Sequence, residues 1–356
     1  MRRRDILKAG GLAAGAGIAF PAPAIGQGLR RLTMVTDWPE GPGLLPSAQR
    51  LAETVRRSSD GRIRIEVTPS GAIVRPFETF DAVQAGVADM FHSHIGYFEQ
   101  KSLALHFFSG VPFGLTANEL FAWVRFGGGQ ELWDALGERF NIKPLLACCT
   151  GPQMGGWYLN EINAPEDIRG LRYRMAGYGA EVYRRLGATV VLLPASEILQ
   201  SLRSGAIDAC EWVGPWLDSV MGLNEVAPYY YYPGWHEPCA SLALGINLDI
   251  WKSFNATDRA LIETAAASEF VVSLAEFNAN NAQALRRLRA NGRTRIQPFG
   301  AAIVAKFAKI SEDVVAEAGE AGDLEGRIYQ SYLSFRDRAR DWSDIGEGSY
   351  LAIRDN

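Results

Sequence analysis

Two α/β lobes facing each other are the fold predicted by three features of this 356-residue sequence. The first is the stretch 189–212. Its β-branched, apolar start at 189–193 reads as a short buried strand, which Pro194 ends because it has no N–H to give. Ser196 is a candidate cap for a helix whose apolar Ile198, Leu199 and Leu202 recur at helical spacing. Gly205 suits the left-handed turn that closes such a helix. Residues 206–211 then read as a second strand, with Glu211 and Trp212 at the C-terminal end where open α/β sheets hold ligands. The second feature is repetition. Glu78, Gly86 and Asp89 stand at the same offsets, 8 and 11, as Glu197, Gly205 and Asp208, 119 residues later. Chance agreement between two ordinary helix–glycine–strand turns is the competing explanation. The third feature is size. The chain is long enough to bury two cores, and an unbroken helical pattern over 258–291 spans roughly 51 Å, more than one small lobe needs. Such a helix bridges lobes or meets a partner chain.

Taken in order, residues 32–37 read as a first strand, 38–43 as a loop rich in Pro and Gly, and 44–58 as a helix. Residues 63–68 alternate apolar and polar, as a half-exposed strand does. The first repeat supplies a helix over 77–85 and a strand over 87–92. Residues 93–115 are irregular and aromatic, with Tyr97, Phe98, Phe107, Phe108 and Phe113. Helices are expected from 118 to about 125 and, past the glycines at 127–129, on to 140. A strand at 145–150 enters the glycine-rich loop 151–156, which carries Gln153, and resumes at 157–160. The strand opening at Leu171 ends on Arg174, and Gly177 and Gly179 lead into a helix over 180–186. After the 189–212 stretch come the aromatic passage 229–238 and a strand at 241–247. Helices are expected again at 303–318 and 323–341. In the last, Ile328, Tyr332 and Phe335 form a narrow apolar stripe, suited either to the chain's own core or to a second subunit.

The first residues read as an export leader. Arg3 and Arg4 followed by Asp5, Ile6, Leu7 and Lys8 resemble a twin-arginine signal, with Ile6 where that pattern carries Phe. An apolar run at 9–20 and small residues around Ala22 and Ala24 complete it. Removing residues 1–24 takes four basic residues and one acidic from 36 and 40, leaving 32 and 39, a net charge of −7. That balance argues against nucleic acid as a partner, which calls for a basic footprint. The cysteines at 148, 149, 210 and 239 lack CxxC spacing. Cys210 and Cys239 can bridge in an oxidising compartment, yet four buried free thiols are the expectation.

No GxSxG, HExxH or GxxxxGK[ST] motif is present. Gly177 and Gly179 do not extend to a dinucleotide fingerprint, since Val182 occupies the third glycine position. His92 and His94 can ligate a metal, although ordinary hydrogen bonding is the simpler fate of two such imidazoles. What remains is a set of polar groups on loops beside aromatics: Gln153, Arg174, Glu211 with Trp212, and Glu237. A guanidinium grips a carboxylate with two parallel donors, which Lys does not match. Glu carboxylates, a Gln amide oxygen and a backbone carbonyl are hard oxygen donors suited to Na⁺ or Ca²⁺ rather than zinc. Against this, Arg172 and Arg174 alternate on one strand, so either can be a surface charge. The tryptophans 157, 212, 216 and 235 serve as core as readily as pocket wall.

At these residues the chain resembles the substrate-binding proteins of TRAP transporters, the extracytoplasmic receptors of a class of secondary transporter. Pro194, Glu197, Leu202, Gly205 and Asp208 match the family's Pro-x-x-Glu…Leu-x-x-Gly-x-x-Asp signature, and residues 171–174 match the strand whose last Arg grips the ligand carboxylate. Residues 211–216 and 229–238 resemble the branch that binds small 2-oxo or 2-hydroxy acids, such as pyruvate or lactate, through a metal ion. The resemblance implies a two-lobed periplasmic-binding-protein fold with a ligand cleft and a helix spanning both lobes. Lobe 1 would comprise 25–150 plus about 236–257, lobe 2 residues 151–235, and the spanning helix 258–292. Residues 293–356 would form helices on the lobes or on a partner subunit. It further implies Gln153, Glu211 and the Trp212 carbonyl as ligands of Na⁺ or Ca²⁺, with Glu237 a weaker candidate. Arg174 would hold the acid, and Tyr97 and Trp212 would border it. Membrane permease subunits are the implied partners, the periplasm is the implied location, and residues 323–341 are candidates for a homodimer contact. Cys239 departs from the family pattern, which has Gly after GluPro, and so bears on the pocket rim. The alternative is an exported metal-dependent lyase or hydrolase acting on carboxylic acids, with Glu211 as acid or base.

Overall fold

Asp89 and Asp208 account for the sequence repeat. Each follows a glycine in the left-handed region, Gly86 at φ 75° and Gly205 at φ 71°, where a side chain would be strained. Each then clasps the backbone of a neighbouring strand from both sides. Asp89 donates its N–H to the Thr33 carbonyl at 3.1 Å and accepts the Thr33 N–H on Oδ2 at 2.8 Å. Asp208 does the same with Arg172, at 2.7 and 2.9 Å. The shared spacing therefore builds the same strand junction in each lobe.

The computed structural model describes residues 28–354, so the leader reading of residues 1–24 lies outside the described part. In chain order the first lobe contains β1 (Arg30–Thr36), α1 (Leu44–Ser58), β2 (Ile63–Thr68), α2 (Thr79–Gln84), β3 (Met90–Ser93), α3 (Ala117–Phe126), α4 (Gly129–Glu138) and β4 (Ile142–Cys149). The chain then crosses to β5 (Gly156–Tyr158), β6 (Arg172–Arg174), α5 (Gly177–Arg185), β7 (Thr189–Val191), α6 (Ala195–Arg203), β8 (Ala209–Cys210), α7 (Pro215–Met221) and β9 (Tyr229–Tyr232). It returns through β10 (Ser241–Asn247) and α8 (Leu248–Lys252) to α9 (Ala256–Ala290), followed by β11 (Arg295–Pro298), α10 (Ala301–Gly319), α11 (Asp323–Ser343) and α12 (Ser349–Ile353). Among the described residues no helix is long and apolar enough to cross a membrane.

The strands form two sheets, ordered β2-β1-β3-β10-β4 and β11-β9-β5-β8-β6-β7. In each sheet a single strand runs against its neighbours: β10 in the first, β5 in the second. Both are the strands by which the chain enters a lobe. Each starts at the side where the others end, with Ser241 opposite Cys149 and Gly156 opposite Tyr231. Both lobes thus present strand C-termini to one another. α9 ties them together. Its Ser273 Oγ accepts the Cys149 N–H at 2.9 Å, and its Glu269 takes Ser47 Oγ at 2.6 Å and the Arg50 guanidinium on the first lobe. Further along, Asn281 Oδ1 accepts the Trp216 N–H at 2.9 Å, and Phe277 packs edge-on to Trp216 in the second lobe.

Four expectations need correction. β7 is not buried: it lies at the sheet edge, where Thr189 and Val191 are exposed because only one side has a neighbour. Ser196 does not cap α6. The extended Pro194 precedes the first turn and no side-chain cap bond forms. The strand expected over 206–211 shrinks to β8, since the Asp208 clasp occupies its start. The part after 293, expected as helices alone, also supplies β11, which pairs parallel to β9. The stripe on α11 packs on its own chain: Ile328 and Tyr332 are buried, and the Tyr332 hydroxyl accepts the Leu115 N–H at 2.8 Å. All four cysteines are buried and free, as expected. The neighbour of Cys239 is Cys149, at 3.3 Å between sulfurs, rather than Cys210, which lies in the other sheet.

Candidate ligand and cation site

Arg174 ends β6, and Glu211 follows β8, the parallel neighbour in which Cys210 pairs with Arg174. The Glu211 N–H donates to the Arg174 carbonyl at 3.2 Å, so sheet register alone brings the two side chains to one spot at the strand C-termini. The guanidinium is 1% exposed. Its Nη1 donates to the Glu211 carbonyl at 2.8 Å and to Glu211 Oε1 at 2.5 Å, and its Nε to the Leu193 carbonyl at 3.3 Å. Nη2 is buried without a hydrogen-bond partner. Arg172, two residues earlier, is exposed and pairs at the surface with Asp208. The ambiguity between the two arginines is resolved by their position along the strand: Arg172 opens it in solvent and Arg174 closes it in the buried corner.

The first lobe covers this corner with Tyr97. Its phenol stands beside the guanidinium, and burial pushes its ionisation up, so it is a neutral hydrogen-bonding group. Burial disfavours the charge on Arg174, but the Glu211 carboxylate and Tyr97 outweigh it and hold the guanidinium protonated. Trp212 lies against the same group, with the guanidinium carbon 5.3 Å from the indole centre. Trp212 also walls a cavity of about 230 Å³ between the lobes, where Trp38, Pro42 and Leu45 face Ser196, Trp212 and Leu217.

The two crossing segments supply the remaining groups. Gln153 lies in the first crossing and Glu237 in the second. The Gln153 N–H donates to the Glu237 carbonyl at 3.2 Å, and the Gly234 N–H to the Gln153 carbonyl at 3.1 Å. Position 234 tolerates only glycine, because a Cβ there would sit 2.3 Å from the Gln153 carbonyl oxygen. Gln153 Oε1 is buried with no hydrogen-bond partner. Glu211, His236 and Glu237 bring one donor atom each to within 4.8 Å of one another. Two buried carboxylates within reach of one another, with an orphaned amide oxygen on the segment whose backbone bonds Glu237, fit a hard cation, which would satisfy the oxygen and neutralise the charge.

Sequence reasoning missed His236 here, and set His94 beside His92 rather than beside Glu237. His236 is 2% exposed, stands 3.5 Å from Glu211 Oε2, and makes no hydrogen bond through either ring nitrogen. His94 Nε2 lies 3.1 Å from Glu237 Oε1 and 2.7 Å from Ser109 Oγ. Burial raises the Glu237 carboxyl, but His94, His236 and His106 around it prevail and hold it below the ordinary value. The sequence signal was the adjacency of His236 to Glu237. The His92 and His94 pair does not form a ligand set: His92 Nδ1 accepts the Trp38 indole N–H at 2.8 Å, and burial lowers its pKa to about 3, leaving the ring neutral.

Two α/β lobes joined by crossing segments, with a buried charge pair at facing strand ends, define a solute-binding receptor. Residues 34–321 match the family model described as bacterial extracellular solute-binding protein, family 7, and the chain belongs to that family, the solute receptors of TRAP transporters. It is 37% identical over 320 residues to the monocarboxylate 2-oxoacid-binding periplasmic protein of Nostoc sp., covering 90% of this chain and 88% of that one. A TRAP solute-binding protein of Bordetella bronchiseptica, solved as a mixed-occupancy dimer with calcium and picolinate, superposes with TM-score 0.89 at 32% identity over 92% of this chain and 97% of that one. One from Pseudoalteromonas atlantica with bound sodium and pyruvate gives TM-score 0.88 at 30% identity, covering 91% and 99%.

Proposed function

We propose that this receptor captures a small 2-oxo or 2-hydroxy monocarboxylic acid, pyruvate- or lactate-like, by closing its lobes over the acid and a Na⁺ or Ca²⁺ ion. The observation that carries the reading is the half-used guanidinium of Arg174. Nη1 is spent on Glu211, while Nη2 is buried and unpartnered beside Tyr97 and Trp212. A carboxylate is the group that completes such a fork. The cation would sit on Gln153 Oε1, Glu211, the Trp212 carbonyl and Glu237, and would also take oxygens from the acid, so that one ion screens Glu211 from the anion. Support comes from the 2-oxoacid-binding Nostoc relative and from the sodium–pyruvate and calcium–picolinate neighbours.

Closure is part of the reading. The groups that would touch the acid come from both lobes, so binding favours the closed form, and exclusion of water strengthens each charged contact. The lobes would divide near 150 and 236, at the two crossings. The acid would be handed to membrane permease subunits in the periplasm, after export by the twin-arginine route. A homodimer would use the C-terminal end rather than the stripe on α11: Trp342, Ile345, Tyr350 and Ile353 are 60–74% exposed. The lyase or hydrolase alternative is disfavoured because Glu211 is engaged by Arg174 and the family is one of receptors.

The test is a thermal-shift and calorimetric screen of pyruvate, lactate and longer homologues, with Ca²⁺, with Na⁺ and with chelator. Selective stabilisation by a short 2-oxo acid that chelator abolishes is the expected outcome. Release of a chemically altered acid, detected by mass spectrometry, would establish the enzyme instead.

A further inference from the structure

The two helices that follow β11 enclose a cavity that the acid site does not use. α10 packs on the second lobe: its Glu317 takes the Arg185 guanidinium of α5 at 2.9 Å, and its Phe307 meets Tyr183 with ring centres 5.2 Å apart. α11 packs on the first: its Ser331 Oγ accepts the Trp123 indole N–H at 3.1 Å, and its Glu325 pairs with Arg139 at 2.7 Å. A cavity of about 280 Å³ lies between them, on a second seam of the lobes, and shares no lining residue with the corner around Arg174. Phe113 lines it from the first lobe. Its φ of 52° strains a bulky residue and persists only where packing holds it. Its N–H donates to the Trp235 carbonyl at 2.9 Å, and its ring stacks on the Trp235 indole, 5.7 Å between centres. Gly114, next in the chain, has no room for a Cβ, which would stand 2.3 Å from the Tyr332 hydroxyl of α11. A fixed aromatic ring is thereby held at the cavity, and Val315 and Leu333 add apolar wall.

The polar lining is mainly cationic. Arg336 and Arg340 stand there with one carboxylate, Glu312. Arg336 Nε is buried without a hydrogen-bond partner, and the guanidinium reaches only its exposed neighbour Asp337, at 3.3 Å. Arg340 and Glu312 form no ion pair among the described residues. We infer that this cavity is a second ligand site, taking a monocarboxylate with a flat aromatic body. A carboxylate supplies the acceptors that the two guanidiniums lack within the chain. An aromatic ring packs on Phe113 by offset or edge contact. The volume lies at the lower end for small-molecule sites, which suits one ring with a short acid arm. Two positive groups against one negative select a monoanion over an amine. The inference is independent of the acid proposed at Arg174.

The experiment titrates phenylacetate by calorimetry into the full mature chain saturated with Ca²⁺ and pyruvate, and again without either. Wild type is compared with Arg336→Gln/Arg340→Gln and with Glu312→Gln, all at positions that are exposed or partly exposed. The expected result is one equivalent bound by the pyruvate-saturated wild type. The double variant should weaken it by at least roughly tenfold, through lost charged hydrogen bonds. Glu312→Gln should tighten it, since a repelling carboxylate is gone, a direction that misfolding does not mimic. Benzylamine, the same ring with the opposite charge, should not bind. No binding to wild type, equal affinity in wild type and the double variant, or displacement of phenylacetate by pyruvate overturns the inference. Failure of pyruvate itself to bind counts against the proposed function alone, because the titration without it still reads this cavity.

Discussion

Replacing Arg174 with Lys isolates the contribution of the planar fork. Arg174→Ala would leave the Glu211 carboxylate, 4% exposed, without its partner, and breaking a buried pair in that way costs about 3–5 kcal/mol of stability. Lys keeps the charge and much of the packing against Trp212, so folding is preserved. A single ammonium does not, however, hold the Glu211 carbonyl and side chain and also reach a second carboxylate, as Nη2 can while Nη1 stays on Glu211. The donor lost is the one corresponding to Nη2, which has no partner within the chain. One hydrogen bond to a charged group contributes about 1.5–3 kcal/mol, so the dissociation constant for pyruvate should rise roughly 10- to 150-fold. Isothermal titration of pyruvate into wild type and Arg174→Lys at fixed Ca²⁺, with melting temperatures measured alongside, reads this directly. A folded Arg174→Lys protein binding pyruvate within about twofold of wild type would remove Arg174 from the site.

Gly234→Ala drives a Cβ against the Gln153 carbonyl carbon and oxygen, at 2.5 and 2.3 Å. It should destabilise the protein by about 1–3 kcal/mol in urea unfolding, with the first crossing displaced. Asp218 is buried beneath Trp157 and Tyr230, and burial raises its carboxyl to about 6 against four donors that pull it down. Its folded pKa therefore lies above the unfolded value. Its contribution to stability is fully present below the unfolded pKa and is lost as pH rises through about 6. Asp218→Asn should flatten that part of the stability–pH curve; an unchanged slope would exclude Asp218 as its source. Cys149 and Cys239, 3.3 Å apart at sulfur, should cross-link under oxidised glutathione in unfolding–refolding cycles, with loss of about two mass units. Cys149→Ser should abolish the change, and cross-linking through Cys210 instead would contradict the pairing.

Much of the site was legible before any coordinates. Arg174, Glu211 and Trp212 are readable because strands of two to eight residues end where glycines, prolines and apolar runs say they end, and ligands gather at those ends. The repeat was legible as spacing, but its cause was not. That Asp89 and Asp208 each clasp a neighbouring strand depends on a parallel pairing 56 or 36 residues distant in sequence. β7 was misread as buried because an apolar run does not say how many neighbours its strand will have. β11 was missed because Arg295–Pro298 has exposed ends and no strong alternation, and pairs only through β9. His236 drew no notice because a lone imidazole in sequence is ordinary, and its burial among two carboxylates is visible only in three dimensions.

Local chemistry in the chain determined most of the helices and strands and which family the protein belongs to, since propensity, punctuation and motif act over a few residues. Tertiary structure alone decided that Arg174 has one nitrogen left over, that Gln153 meets Glu237 across two crossings, and that an unpartnered imidazole joins them. Those outcomes follow from sheet register and from the closeness of two backbones at Gly234, quantities set by packing between segments some 80 residues apart and not written at any one position.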